Sequence, residues 1–323
     1  MKIINIIIDK LSILITKLLF PRAKSPYIYY TKYFYIGKFI QLKYYIQDHI
    51  IRRPYKVIEY SSEFGPELKF VVPFAYWHFL NGTLLKTIST KDTSCFYYFS
   101  PNHIEIEIHR RWVDFKFDTS IPNSQDHSLK YDLAKWSQVP FRDIYKSKIL
   151  QTNKPLLIIA NRYNTEWGSE NPISFLDLDI LDELADLLLT KYQIIYNRPT
   201  KSHIVNDESD ILDLGDKQFL REKYGDQVML LDEIYESSRH LNISYNELQM
   251  LVYAQSKSFI SVHGGTSVLA SYFQGINIIY SAAGHEHVCD EFTNFYPLLS
   301  GTSIYHAKSY DSLLQNVKAH LLT

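Results

Sequence analysis

The sequence predicts an α/β protein: two parallel-sheet domains behind a basic helical extension. Three observations lead there. At 323 residues the chain is too long for one average domain. Hydrophobic residues make up 46% and charged residues 21%, a composition that supports two packed cores and excludes global disorder. From residue 154 onward, short apolar runs alternate with stretches of helical spacing, the pattern of a doubly wound sheet.

The extension stands out by charge. Residues 1–56 hold eleven Lys and Arg against Asp9 and Asp48, a net +9; the remaining 23 basic and 33 acidic residues give a net −10. Residues 3–20 are strongly apolar, but Asp9, Lys10 and Lys17 interrupt them and Pro21 ends them. A charged residue at the centre of a membrane span costs about 2.5–3.5 kcal/mol, which argues against a span. The split apolar stretch, with no small-residue cleavage site after it, also argues against a signal peptide. The expectation is a helix lying in the plane of an anionic membrane surface, with Tyr27, Tyr29, Tyr30, Tyr33 and Tyr35 at headgroup level. The alternative is an ordinary helix packed on the body or on a partner subunit. No basic stripe runs through the acidic body, so nucleic acid is not an expected partner. Cys95 and Cys289 are the only cysteines and form no metal-ligand spacing, pointing to a reducing compartment without disulfides or structural zinc.

In the body, residues 56–60 (KVIEY) read as a strand and 61–65 as a loop, and Pro66 suits the opening of a helix. Residues 67–81 read as that helix, with Pro73 implying a kink or a later start and Gly82 a C-cap; residues 84–89 read as a second strand. Residues 103–109 (HIEIEIH) alternate like a strand, and 119–128 are polar and loop-like. The second half is clearer. Strands are expected at 155–160, 192–196, 228–231, 258–262 and 276–280; helices at 176–189, 245–254, 266–273 and 313–322. The predicted division is an extension at 1–55, domains at 56–151 and 152–305, and a closing helix at 306–323.

One segment carries most of the chemistry. Residues 259–280 read FISVHGGTSVLASYFQGINIIY: a buried strand, a His-Gly-Gly turn, Thr266 and Ser267 opening a helix, then Gly275 and another buried strand. Glycine lets backbone approach a ligand closely, and amides at a helix start suit an anion such as a diphosphate. This outline resembles the donor-binding domain of GT-B glycosyltransferases, those of capsule and lipopolysaccharide synthesis above all. His263, Gly264, Gly265, Thr266, Ser267 and Gly275 match it; Asn277 stands where proline is usual, and Ala270 lies near where several families carry an acid for the donor ribose. The turn is also similar to the oxyanion loop of α/β-hydrolases, but no GxSxG follows.

The resemblance implies two Rossmann-like domains facing a central cleft. It implies sugar transfer from a nucleotide diphosphate sugar, a UDP-sugar first, to a hydroxyl of a glycan or lipid-linked acceptor. Inversion of configuration, no metal, no separate cofactor, and a peripheral place on the cytoplasmic membrane face complete the expectation. His263, Gly264, Gly265, Thr266 and Ser267 are the expected donor-phosphate residues, joined by Arg162 after the first strand of the second domain and Arg198 after the next. Asn164, Glu166 and Trp167 share the Arg162 loop; His285 and Glu286 are placed for the donor sugar. A general base is expected in the first domain, Glu63 first, with Asp92 and His103 as alternatives. Asp177-Leu178-Asp179 spells DxD, but at a helix start its carboxylates read as caps. Two rival functions stay open: a sugar-nucleotide epimerase, and a non-catalytic interaction protein on a degenerate transferase fold.

Overall fold

The computed structural model describes residues 2–106, 109–110, 128–146, 149–165, 171–205 and 209–322, the side chains of Lys2, His285 and Val288 excepted. The predicted features that fall on residues 107–108, 119–127 and on Glu166 and Trp167, together with the His285 side chain, lie outside that description. The chain divides into two compact units, Met1–Gln138 and Val139–Thr323.

The first unit opens with helices α1 (Lys2–Leu19) and α2 (Ser25–Ile46), the latter continued by a wide turn at Gln47–Ile51. Strand β1 (Lys56–Glu59) follows, then the short α3 (Phe64–Pro66), a π-type turn at Glu67–Val71 and α4 (Val72–Leu80). The π turn sits just before Pro73: the Val72 N–H reaches back five residues to the Glu67 carbonyl, and the helix passes a residue that has no N–H to give. Gly82, at φ +74°, ends α4 in the left-handed conformation expected of a C-cap. Strands β2 (Leu84–Thr90) and β3 (His103–Ile106) complete a three-stranded sheet, β1-β2-β3, parallel throughout.

The second unit begins with α5 (Phe141–Ile144), upstream of the residue 152 boundary expected from sequence. Arg142 holds this segment to the body of the unit, donating to the carbonyls of Ser256, at 2.7 Å, and Phe273. The chain then runs β4 (Leu156–Ala160), β5 (Asn164–Thr165), α6 (Leu178–Leu188), β6 (Gln193–Asn197), β7 (Asp210–Ile211), α7 (Asp216–Tyr224), β8 (Val228–Leu230), α8 (Leu231–Ser237) and α9 (Tyr245–Tyr253). It continues through β9 (Ser258–Val262), α10 (Gly265–Ala270), β10 (Ile276–Tyr280), α11 (His285–Val288), α12 (Glu291–Asn294), β11 (Ser303–Ala307) and α13 (Tyr310–His320). Six parallel strands lie in the order β11-β10-β9-β4-β6-β8, while β5 and β7 form a small antiparallel pair. Parallel pairing requires crossovers, and helices on the sheet bury it on both faces; hence the unbroken apolar β4, buried at every residue. Ile180, Leu181, Leu184 and Leu188 of α6 pack with Leu157, Ile194, Ile260 and Ile278 in that core.

Candidate functional site

The strand order of the second unit reverses once. The chain moves outward from β4 to β6 and β8, then returns to lay β9 on the other side of β4, in register Ala160↔Ser261. In open parallel sheets, ligands bind outside the carboxyl ends of the strands at such a reversal, because the two outgoing loops part there and leave a crevice. The two loops at this reversal are Asn161–Arg162 after β4 and His263–Gly264 after β9, the segments singled out from sequence.

They meet. The Arg162 Nε donates to Asn164 Oδ1 at 2.7 Å, and its Nη1 donates to the His263 carbonyl at 3.3 Å. Gly264 has φ +98°, and a Cβ built there would lie 2.7 Å from Arg162 Nη1. The backbone conformation therefore favours glycine, and a side chain there would also have to displace the guanidinium. The Gly264 carbonyl accepts from Ser267 N (3.1 Å), Val268 N (3.2 Å) and Ser267 Oγ (2.8 Å), closing the turn from below. The amides of Gly265 and Thr266 open α10, where N–H groups have no acceptor within the helix.

Asn161, to which the sequence reading gave no role, anchors the other loop. Its Oδ1 accepts from the backbone N–H groups of Arg162 and Leu176, both at 2.9 Å, and its Nδ2 donates to the Leu176 carbonyl and the Tyr196 hydroxyl. A lone asparagine at a strand end gives no sequence signal of this role; its partners come from a distant loop and another strand.

Some expected ligands are committed elsewhere. Ser267 is fully buried, its hydroxyl spent on the Gly264 carbonyl, so it shapes the turn and does not face a ligand. Thr266 donates its hydroxyl to the Val262 carbonyl at 2.9 Å. Arg198 is buried and forked onto Asp216, Nε to Oδ2 at 2.6 Å and Nη2 to Oδ1 at 2.5 Å, with Nη1 on the Leu212 carbonyl. A buried carboxylate needs a cation beside it, and Asp216, wholly buried at the start of α7, takes this one. Arg198 is thus a structural residue, a correction to its expected role. Asp177 accepts from the Ile180 N–H at 3.0 Å, capping α6 as the DxD reading expected. Among the described residues no cluster of His, Cys, Asp or Glu could hold a metal ion.

Beyond β10, Glu286 is half-buried and folds over Gly284, where a Cβ would meet its Oε2 at 2.5 Å. Beside it lies a group that was not read from sequence. His287 Nε2 is 2.8 Å from Ser281 Oγ, His306 Nε2 is 3.1 Å from the Ser281 carbonyl, and the two rings meet edge-to-face at 4.5 Å. Burial holds both imidazoles below their ordinary pKa.

In the first unit, Glu63 and Asp92 follow the carboxyl ends of neighbouring parallel strands, β1 and β2. Glu63 is half-exposed at the head of α3, and its carbonyl accepts from the Tyr60 hydroxyl at 3.1 Å. Asp92 adopts φ +60°, and burial, together with the charge of Glu105, raises its pKa. Glu105 in turn accepts the N–H groups of Asp92, Thr93 and Ser94, tying the loop. The His103 Nδ1 is 2.8 Å from Thr87 Oγ1, its Nε2 is 3.1 Å from Thr93 Oγ1, and its ring stacks on Tyr97 at 4.8 Å. Both nitrogens of His103 thus lie against hydroxyls of its own sheet and the loop after β2. The loop carrying Glu63 rests instead on Glu67, a fully buried carboxylate in contact with Ser89 Oγ (2.5 Å), Tyr97 Oη (2.8 Å) and Arg110 Nη2 (2.7 Å). Arg110 Nη1 donates to the Ser62 carbonyl at 2.7 Å, linking that carboxylate to the loop.

No family model matches the sequence, and no curated protein matches it. Solved structures do. An E. coli ADP-heptose lipopolysaccharide heptosyltransferase II is 11% identical over 82% of this chain and 98% of its own, with a TM-score of 0.50. A family 9 glycosyl transferase from Veillonella parvula is 8% identical over 84% of this chain and 98% of its own, with a TM-score of 0.51. Identities this low speak to architecture alone: the chain has the α/β fold of these glycosyltransferases.

Proposed function

We propose that the protein transfers a glycosyl group from a nucleotide diphosphate sugar to a hydroxyl of a glycan or lipid-linked acceptor. One observation carries the reading: Arg162 and the His263–Gly264 turn stand side by side at the strand-order reversal, with a Cβ-free backbone between them and a helix start behind. That arrangement suits a diphosphate. As the sugar's anomeric bond to phosphate breaks, negative charge gathers on the leaving diphosphate, and a fixed guanidinium with backbone amides can offset it without a metal ion. Asn164 and the His263 carbonyl hold that guanidinium in place. Glu286 is the proposed sugar contact. In the first unit Glu63 is proposed as the base that takes the acceptor's proton, with Asp92 as the alternative; burial and the charge of Glu105 raise the Asp92 pKa and make its carboxylate more basic. A single displacement of this kind inverts the anomeric centre, which NMR of the product reports.

Thermal unfolding with UDP, ADP, GDP and CMP tests the reading. UDP is the first expectation, and ADP joins the panel because the E. coli neighbour is named for ADP-heptose. A nucleotide present at about 100 times its Kd stabilises the native state by about 2.7 kcal/mol. Arg162→Ala should weaken that nucleotide by about 1.5–3 kcal/mol, the worth of hydrogen bonds to a charged group. No shift with any nucleotide, or a shift that Arg162→Ala leaves intact, rejects the proposal.

A further inference from the structure

Water-soluble helix pairs join their apolar faces and leave charge outside. The α1–α2 hairpin does the reverse. Asp9 of α1 pairs with Lys32 of α2 at 2.7 Å, and Ser12, Thr16 and Thr31 are wholly buried between the helices and the rest of the unit. The Thr16 hydroxyl donates to the Ser12 carbonyl at 2.8 Å, a bond made within α1 itself. Outward, Ile3, Ile4, Ile7, Leu11, Leu14 and Leu18 form one stripe, exposed from 42% at Leu11 to 73% at Ile3. At 3.6 residues per turn these six positions fall within about 100° of the helix circumference. The C-terminal half of α2 adds Leu42, Tyr45 and Ile46, each more than half exposed.

The hairpin is fastened to its unit, so the stripe is a fixed surface. The Leu129 N–H donates to Thr31 Oγ1 at 3.1 Å, and Asp132 takes Lys38 and Gln41, both at 2.8 Å. It is not a span: among the described residues no helix is long and apolar enough to cross a membrane. Exposed Lys10 and Lys17 flank the apolar stripe of α1, and exposed Arg22 and Lys24 lie in the turn after it.

We propose that this inside-out hairpin seats the protein in the headgroup layer of an anionic lipid bilayer, the stripe of α1 facing the acyl chains and the basic side chains meeting lipid phosphates. Charge chooses the occupant. The only acids in residues 1–56 are Asp9 and Asp48. Asp9 is taken by Lys32, and Asp48 is fully buried against Lys135. A second copy seated on the same face would therefore bring basic rims together with no acid to answer them, whereas an anionic lipid surface supplies the missing charge. The wide separation of basic extension and acidic body has the same sense.

Flotation of the full chain with phosphatidylcholine vesicles, with and without phosphatidylglycerol, tests this independently of any nucleotide. Binding is expected to vesicles containing phosphatidylglycerol and to fall several-fold without it or in high salt. The double variant Ile7→Ser/Leu14→Ser changes only exposed side chains; it should keep its unfolding midpoint and lose binding on the order of tenfold or more. Equal binding to both vesicles, binding untouched by the double variant, or no binding at all overturns the proposal. A dimer in solution that the double variant dissolves, without vesicle binding, assigns the stripe to a second copy and overturns it equally.

Discussion

Gly264 and Gly275 show how one residue type serves two ends within a single turn-helix-strand segment. Both have positive φ, +98° and +73°. At Gly264 the atom a Cβ would strike is the far end of Arg162; at Gly275 it is the Lys257 carbonyl oxygen, at 2.1 Å, in a neighbouring backbone. The two substitutions to alanine should therefore differ in kind. Gly275→Ala is expected to lower the unfolding midpoint strongly and to change nucleotide affinity little in whatever protein remains folded. Gly264→Ala should weaken nucleotide binding by displacing Arg162. In the background of Arg162→Ala its effect on stability should shrink to the cost of the strained φ, a coupling that a double-mutant cycle measures. Additive effects of the two substitutions would mean that the guanidinium does not rest against Gly264. Seen from the sequence, the His-Gly-Gly turn announced the need for glycine. The partner was not legible, since residues 162 and 264 meet only because β9 returns to pair with β4.

At the scale of elements, agreement followed burial. Strands β9 and β10 were expected at the residues where they occur, because strands covered on both faces read as unbroken apolar runs. Strand β11 (SIYHA), at the sheet edge, and helix α7 (DKQFLREKY), with Leu220 and Tyr224 its only buried apolar residues, were not expected. Their identity comes from partners: β11 from its ladder with β10, and α7 in part from the Asp216–Arg198 pair beneath its first turn. Caps were legible where side chain and helix start are adjacent. Asp177→Ala should cost about 0.5–2 kcal/mol in urea unfolding, the usual worth of an N-cap. Asp179→Ala, one turn position on and exposed, should cost less. Equal losses, or stabilisation of the native chain by a divalent cation that either substitution removes, would return the DxD to a metal-binding role.

For the molecule as a whole, the hairpin that the sequence marked by charge is tied into the first unit by a buried polar cluster. Asp48, fully buried at the end of α2, contacts Lys135 and the Tyr55 hydroxyl, the latter at 2.5 Å, with His78 Nδ1 3.8 Å away. Burial, followed by the positive charge of Lys56, pulls the His78 pKa down from 6.5 to about 3. The unfolded chain binds a proton here below pH 6.5 and the folded unit only near pH 3. Between those values the unfolded state therefore holds more protons, and stability falls as pH falls. Asp48 adds to the loss at the acid end, because its pKa is lowered against burial by Lys135 and Tyr55 and its carboxylate must be protonated there. Lys56 acts at the other end. Burial lowers its pKa from 10.5 to about 8, so stability rises as pH rises through that window. Trp77 and Trp136 lie in the first unit and make fluorescence a fit probe of it. The urea midpoint should decline from pH 6.5 towards pH 4, less steeply in His78→Gln; a level midpoint over that range counts against the account.

The sequence by itself determined what depends on neighbours along the chain: the apolar strands of the second unit, the His-Gly-Gly turn between strand and helix, the cap at Asp177, and the unequal charge of extension and body. Tertiary structure decided what depends on which distant residue fills the space beside a side chain. It committed Arg198 to Asp216, took both nitrogens of His103 into hydrogen bonds, set Arg162 against Gly264, and turned the polar side of α1 inward onto Lys32. The reason is physical. Periodicity and turn chemistry act over a few residues, whereas the pairing of a buried charge is settled by desolvation, which no local pattern records.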